Sequence, residues 1–452
     1  MSSVPFQKVL VANRGEIALR IIRACHELGI KTVAVHSKAD EDALHVKLAT
    51  ESVCIGPALA KESYLNIASI MSAAVATRAD AIHPGYGFLS ENAAFAEICA
   101  SCGITFIGPT VRSMRIMGDK ARARRVADKV GVPTIPGDSK GMLDAAEALK
   151  VAEKAGYPIL LKACAGGGGR GMKIVKSADE FVSTFQTAQR EVEAAFGDGH
   201  LLVEKYLPKV RHIEVQVAGD LSHNAIHLGI RDCSIQRRYQ KVIEESPSIG
   251  LPASLQNQIQ DAALELIKSV NYSSLGTVEF LADLEHEKFY FIEMNTRLQV
   301  EHPVTEMVTD VDLVKEQIRL AAGLELSWQQ KDIKMTGHAI EARINAEDPR
   351  TLIPSPGLIK SYHPPGGNGV RVDSAIYAGY SVKPYYDSLI SKLIVRDKDR
   401  ASCIKKLLVA LDEYLIDGIS TNIELHRRIL SHPDFQNGNF STKFLDQVQL
   451  FG

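Results

Sequence analysis

The chain has 452 residues, 45% of them apolar and 23% charged, with 52 basic and 54 acidic side chains and a net charge of −2. This length exceeds one ordinary domain and predicts roughly two to four. The near-neutral balance argues against a nucleic-acid or membrane-surface partner, and no apolar run approaches the ~18 residues of a membrane span.

The N-terminal stretch MSSVPFQKVLVANRGE lacks a basic region followed by a long apolar run, so it reads as a first strand and not as a signal peptide. Alternation follows. KVLVAN is a strand, EIALRIIRACHELG an amphipathic helix closed by glycine, and KTVAVHS a strand. SYLNIASIMSAAVATR is a helix, DAIHPG a strand, NAAFAEICASCG a helix and ITFIGP a strand. A β-α-β series predicts a mostly parallel, Rossmann-like sheet with helices packed on it. Its first turn, Asn13-Arg14-Gly15-Glu16, lacks the G-x-G-x-x-G dinucleotide fingerprint. A basic helix is expected over Met114–Val130, and VPTIPG marks a boundary after it. From there to about Asn271, helices alternate with short strands. GTVEFLADLEHEKFYFIEM is a β-hairpin, VDLVKEQIRLAAG a helix ended by glycine, and a mixed region begins after Trp328.

The seven cysteines are odd in number and widely spread, which points to reduced thiols and a cytoplasmic setting. Cys99-x-x-Cys102 has zinc-like spacing but no second pair. Cys233 is expected in a polar loop, RDCSIQRR, near an active site.

Two segments carry chemistry. Ile159–Cys164 leads into Ala165 and a run with five glycines between Gly166 and Gly171, and Met172–Val175 reads as a strand. No Lys-Ser/Thr follows the glycines, so this is not a P-loop. A strand–glycine–strand hairpin is either a plain mobile loop or a lid whose N–H groups approach phosphate oxygens. Lys162, Arg170 and Lys173 flank it and favour the lid. The second segment is EMNTRLQVE, Glu293–Glu301. In an extended chain alternate side chains share a face, which predicts one strand gathering Glu293, Asn295, Arg297, Gln299 and Glu301, stopped by His302-Pro303. Glu279, on the partner strand ~4.8 Å away, can join Glu293 and Asn295. Such oxygen ligands suit Mg²⁺ or Mn²⁺, with nucleotide phosphates completing the shell.

A glycine-rich lid preceded by lysine, together with a late Glu and Glu-x-Asn, resembles the ATP-grasp enzymes. Over its whole length the chain is similar to biotin carboxylases, through VANRGEIALRI, AIHPGYGFLSEN, GPT with MGDK, KACAGGGGRGM, VEKYL, RHIEVQV, RDCSIQRRYQK, FIEMNTRLQVEHPVTE, ARINAEDP and PYYDSLISKL. The resemblance implies a multidomain α/β and α+β fold. Its parts are a Rossmann-like domain (1–117), an ATP-grasp domain (118–330, lid about 134–204) and a mixed C-terminal domain (331–452).

It further implies that Lys120 and Lys162 hold nucleotide phosphates under Gly168 and Gly169. Glu204, Lys205, Tyr206 and Leu207 line the adenine pocket, with His212, Gln236, Tyr239 and Glu279 also at the nucleotide. Tyr239 stands where the family often has His. Glu279, Glu293 and Asn295 hold one or two Mg²⁺ or Mn²⁺ ions. Lys241, Arg297, Gln299, the Val300 N–H and Glu301 receive bicarbonate, with Glu301 the general base. Arg343 and Tyr86 meet biotin.

The implied activity is ATP-dependent carboxylation of biotin via carboxyphosphate. Biotin would arrive on a biotin carboxyl carrier protein, because no Met-Lys-Met acceptor stretch occurs in the sequence. Carboxyltransferase subunits complete the expected assembly, most simply an acetyl-CoA carboxylase making malonyl-CoA for fatty acid synthesis. A pyruvate or propionyl-CoA carboxylase subunit, or another bicarbonate-using ligase, stays open. So does a catalytically dead nucleotide sensor. A homodimer is expected, with Arg20, Arg23 and Tyr362 at its interface.

Overall fold

A computed structural model describes residues 4–138, 140–164 and 172–451. The N-terminal alternation folds as expected into a parallel sheet, with one strand that the sequence reading passed over, Glu51–Gly56. Among the described residues the sheet has five strands, in the order Glu51–Gly56, Lys31–Ser37, Lys8–Val11, Ala81–His83, Thr105–Phe106. The missed strand alternates with exposed positions at the sheet's edge, so it shows little apolar signal. Helix Gly15–Glu27 buries Ile17, Ala18, Ile21, Ile22 and Cys25, a 3.6-residue stripe that binds it to the sheet.

The basic stretch is two helices, Val111–Met117 and Lys120–Lys129. The Asp119 carboxylate accepts from the Arg122 N–H at 2.8 Å and caps the second, so a fresh helix start interrupts what looked continuous.

The central region departs further from expectation. In place of short strands it holds three long antiparallel ones, Arg211–Gly219, Ala225–Arg237 and Gln240–Ser246. The last two are joined by Arg238 and Tyr239, both at positive φ (50° and 64°). Two such residues make the tight turn whose twist suits a hairpin, and holding a tyrosine there strains the backbone. Cys233 lies buried within the middle strand and not in a loop.

These strands form the middle of an antiparallel sheet of eight, ordered Lys288–Asn295, Ser274–Asp283, Arg211–Gly219, Ala225–Arg237, Gln240–Ser246, His338–Asn345, Leu389–Asp397, Val370–Ser374. The sheet therefore crosses residue 330 without a break, and it delivers Arg343 beside the central strands. Helix Ala253–Ser269 covers one face with Leu255, Ile259, Ala263 and Leu266. The stretch read from the sequence as a lid holds a smaller sheet, Lys173–Val175, Ile159–Ala163, Leu201–Lys205, closed by Phe181 and Phe185 of helix Phe181–Phe196. Gly168, Gly169 and the rest of the glycine run lie outside the described residues.

The segment EMNTRLQVE is only half strand. The ladder ends at Asn295, and Thr296–Glu301 runs irregularly into helix His302–Thr309. Pro303 does not stop a strand; it sits in the helix's first turn, where its missing N–H costs nothing.

Burial disfavours the charged form of His45, His83, His302 and His426. Burial pushes His45 down to about 4, against the opposing pull of Asp40. It pushes His83 to about 3 and His426 to about 4. Each folded value lies below the free value of 6.5. The stability held by the neutral form is therefore complete above pH 6.5 and is lost as pH falls toward 4. At pH 5 the loss is about 2 kcal/mol per histidine. Thermal unfolding followed from pH 7 to 5 will show a steep fall in midpoint, and His426→Gln will make that fall shallower; parallel curves for both proteins would refute the assignment.

Candidate active site

One cavity of about 890 Å³ is lined by Lys120, Lys162, Glu204, Lys205, Tyr206, Leu207, His212, Gln236, Tyr239, Lys241, Glu279, Glu293, Asn295, Arg297, Gln299, Val300, Arg343 and Tyr86. Among the described candidates, only Glu301 is absent from its wall; it lies fully buried directly behind, bonded to Lys241 and Arg343.

The hairpin supplies the carboxylates. Glu279 and Glu293 stand directly opposite each other across the two strands. Glu279 collects donors: Asn295 Nδ2 at 2.7 Å, Gln299 Nε2 at 3.1 Å, Lys241 Nζ at 3.2 Å and His212 Nε2 at 3.0 Å. Burial would raise its pKa, but Lys241 and His212 outweigh burial and hold it well below the carboxylate range. Glu293 instead faces Lys120 at 3.3 Å. The fit to a hard cation rests on the donor set, two carboxylates and an amide on the cavity wall.

Among the described residues two other groups converge, His212–Glu214–Glu279 and Glu214–Cys233–Glu301. Arg231 and Lys241 already neutralise Glu214 in both, which leaves little attraction for a further cation. Cys99 is buried, Cys102 is exposed, and all seven thiols are free.

Lys241 is the hub. Its ammonium contacts Glu214, Glu279 and Glu301, the last at 2.6 Å. Burial works against its charge, yet the three carboxylates raise its pKa well above that of a free lysine. Arg343 reaches Glu301 at 2.8 Å and Glu244 at 2.5 Å. Glu301 is thus clamped between two cations. Burial pushes its carboxyl up, while Lys241, Arg343 and Arg231 together bring it far below the ordinary range. Glu244 behaves oppositely, raised to about 7 by burial against the pull of Arg343.

Arg297 is held as a fork. Nε donates to Glu91 at 2.9 Å, and the terminal nitrogens donate to Gln299 at 2.9 Å and Asn295 at 3.1 Å. Elsewhere on the wall Glu204 accepts ion pairs from Lys162 at 2.5 Å and Arg124 at 3.3 Å. The Lys205 ammonium points elsewhere, to the carbonyls of Gly156 and Tyr157. The Lys205 and Tyr206 N–H groups are committed to the Pro136 and Pro158 carbonyls, so not every donor of VEKYL faces the cavity. His212 Nδ1 pairs with the Gln236 amide at 2.8 Å. Tyr239 is half exposed, with the Lys443 ammonium 5.4 Å from its ring centre. The Tyr86 hydroxyl donates to Glu16. Of the residues expected at a dimer interface, Arg20 is buried against Glu306 and Asp312, Arg23 is exposed, and Tyr362 is half-buried beside Tyr414.

Sequence reasoning missed the supports. Glu214, Arg231, Glu244 and Glu91 hold the named residues in place. Only the charged alternation of RHIEVQV hinted at Glu214.

Three family models cover most of the chain: "Biotin carboxylase, N-terminal domain" over residues 5–114, "Carbamoyl-phosphate synthase L chain, ATP binding domain" over 119–329, and "Biotin carboxylase C-terminal domain" over 341–447. Biotin carboxylase 1 of Bacillus subtilis is 52% identical over 447 residues, 99% of each chain. A Campylobacter jejuni biotin carboxylase, solved as a β,γ-ATP complex, superposes with a TM-score of 0.96 at 50% identity, covering 98% of this chain and 99% of that one. The biotin carboxylase domain dimer of Hydrogenobacter thermophilus 2-oxoglutarate carboxylase, solved with MgADP, ADP and bicarbonate, gives 0.94 at 50% identity, covering 98% and 97%. With near-complete overlap at half identity, this chain belongs to the biotin carboxylase family of ATP-dependent carboxylases.

Proposed function

We propose that the cavity carboxylates biotin with bicarbonate and ATP, passing through carboxyphosphate. The observation that carries this reading is the clamp on Glu301 by Lys241 and Arg343, open to the same cavity as the Arg297 fork and the Glu279–Glu293 pair.

Lys120 and Lys162 hold the nucleotide phosphates, while Glu204 through Leu207 with His212, Gln236 and Tyr239 shape the rest of the nucleotide site. Glu279, Glu293 and Asn295 would hold one or two Mg²⁺ or Mn²⁺ ions, which would neutralise charge on the transferred phosphoryl oxygens.

Arg297 offers paired N–H groups to the planar anion, alongside Gln299, Lys241 and the Val300 N–H. Glu301 takes the bicarbonate proton, and the freed oxygen attacks the γ-phosphorus in line with ADP departing. Carboxyphosphate then splits to CO₂ and phosphate. Phosphate removes the ureido proton of biotin, Arg343 stabilises the enolate-like oxygen, and the ring nitrogen captures CO₂ beside Tyr86. A strongly ionised Glu301 is a weak base. Each anion that draws Lys241 or Arg343 toward itself weakens the clamp, so Glu301 gains basicity as substrates arrive.

The biotin comes on a carrier protein, and carboxyltransferase partners select the acceptor. Acetyl-CoA, leading to malonyl-CoA, is our first choice, with pyruvate or propionyl-CoA next. Two copies pair through the surface that includes Arg20, Arg23 and Tyr362, and the chain works in the cytoplasm. The domains are assigned to 1–117, 118–330 and 331–452.

Bicarbonate-dependent ATP cleavage, followed as phosphate release, will rise on adding free biotin. Cleavage with bicarbonate alone and no biotin response would indicate a different ligase, and no cleavage a nucleotide sensor. Glu301→Gln will lower that cleavage by about 10²–10⁴-fold while nucleotide affinity stays within about threefold; normal turnover in this variant would remove Glu301 from the role of base.

A further inference from the structure

Behind the bicarbonate end of the cavity lies a buried ammonium with no part in the chemistry above. Lys392, on strand Leu389–Asp397, is fully buried and donates to the Val300 carbonyl at 2.8 Å. It pairs with Glu16 at 3.1 Å and lies 3.9 Å from Asp373. Glu16, in the first turn of helix Gly15–Glu27, accepts the Tyr86 hydroxyl on Oε1, and its Oε2 is buried without a hydrogen-bond partner. Tyr86 and Glu16 both line the cavity. Four residues from four stretches of sequence thus make one continuous path, Tyr86–Glu16–Lys392–Val300.

Taking a lysine wholly out of water is costly unless its partners are fixed. A loop carbonyl at Val300 needs no charge to be satisfied. Placing a buried ammonium on it stiffens the residue that lies between the Val300 N–H and the Glu301 carboxylate. At the other end, Glu16 divides its charge between a tyrosine hydroxyl and the ammonium. Burial raises the Glu16 carboxyl while Lys392 pulls it back. Burial and then Glu16 keep the Tyr86 proton firmly in place, so the hydroxyl donates inward.

We propose that Lys392 is a positioning residue: through the Val300 carbonyl it sets the bicarbonate-binding loop, and through Glu16 and Tyr86 it ties that setting to the biotin end of the cavity. A ureido ring that draws on the Tyr86 hydroxyl changes the charge Glu16 presents to Lys392, and with it the pose of Val300. This rests on the assignment of bicarbonate to Val300 and biotin to Tyr86 made above.

The test is steady-state ATP cleavage by the full chain, with bicarbonate varied in the absence and presence of free biotin. Lys392→Met and Glu16→Gln will each raise the bicarbonate KM by about tenfold, leave the ATP KM within about twofold and reduce stimulation by biotin. Lys392→Arg, which keeps a buried donor, will recover most of the loss. Glu16→Gln keeps side-chain volume and an acceptor for Tyr86, so it carries the test if Lys392→Met does not fold. Wild-type bicarbonate KM and wild-type biotin stimulation in the folded variants would overturn the proposal. A wild-type chain without bicarbonate-dependent cleavage would instead overturn the underlying reading, and this one with it.

Discussion

Three carboxylates, Glu214, Glu279 and Glu301, are packed around one lysine in a place with almost no water. Isolated buried carboxylates would take up protons. Two of these do not, because Lys241 shares its charge among all three, Arg231 backs Glu214 and Arg343 backs Glu301. Glu214 shows the limit of the compensation: burial still raises it, against Lys241 and Arg231. Everything else about the cavity follows from keeping this cluster charged. The cations are oriented before any anion arrives, which is the costly part of binding one. A buried network of this kind is high-stakes, since removing any member strands the rest.

The eight-stranded sheet is the means of assembly. Lys241 and Glu244 sit on one strand, and the neighbouring strand brings Ala342 opposite Ile243, with Arg343 one residue on. The neighbour on the far side of that strand places Lys392 opposite Arg343. Register therefore decides which charges meet. A slip of one residue would turn Arg343 and Lys392 to the other face, leaving Glu244 without its cation and Glu301 with Lys241 alone. Because the sheet runs on past residue 330, the C-terminal region supplies these cations on a rigid ladder and not on a mobile loop.

Much of this was legible in the residues. The N-terminal alternation has long, strongly periodic helices, so its strands and helices could be named, while the edge strand Glu51–Gly56 escaped because exposed positions blur its pattern. The hairpin announced itself through FLA and FYFI on either side of a polar turn, and Glu279 opposite Glu293 follows from strand geometry. What could not be read is long-range charge pairing. Nothing local marks Glu91 as the partner of Arg297, 206 residues away, or Glu16 as the partner of Lys392. The meander over Arg211–Ser246 was misjudged because its central strands are buried on both faces and carry functional charges, which erases alternation. Asp119 was lost inside a basic run, though its capping chemistry was visible once the break was known.

The exit from the hairpin is where local rules failed most usefully. Alternation of charge in EMNTRLQVE suggested a strand to its end, but the ladder stops at Asn295. Continuing this edge strand would have tied alternate backbone groups from Arg297 to Glu301 into the ladder. Leaving the ladder frees the Val300 carbonyl for Lys392, lets Arg297 fold back onto Asn295 and Gln299, and puts Glu301 at the start of a helix. Alternation here reflects residues that converge on one space, and convergence does not require a common strand. Side chains take over part of the pairing: Glu91 accepts the Thr296 N–H, Arg297 donates to the Leu298 carbonyl and Lys392 to the Val300 carbonyl, so fixed charges hold the irregular backbone. That substitution is what lets Glu293, Asn295, Arg297 and Gln299 line one cavity with Glu301 directly behind them.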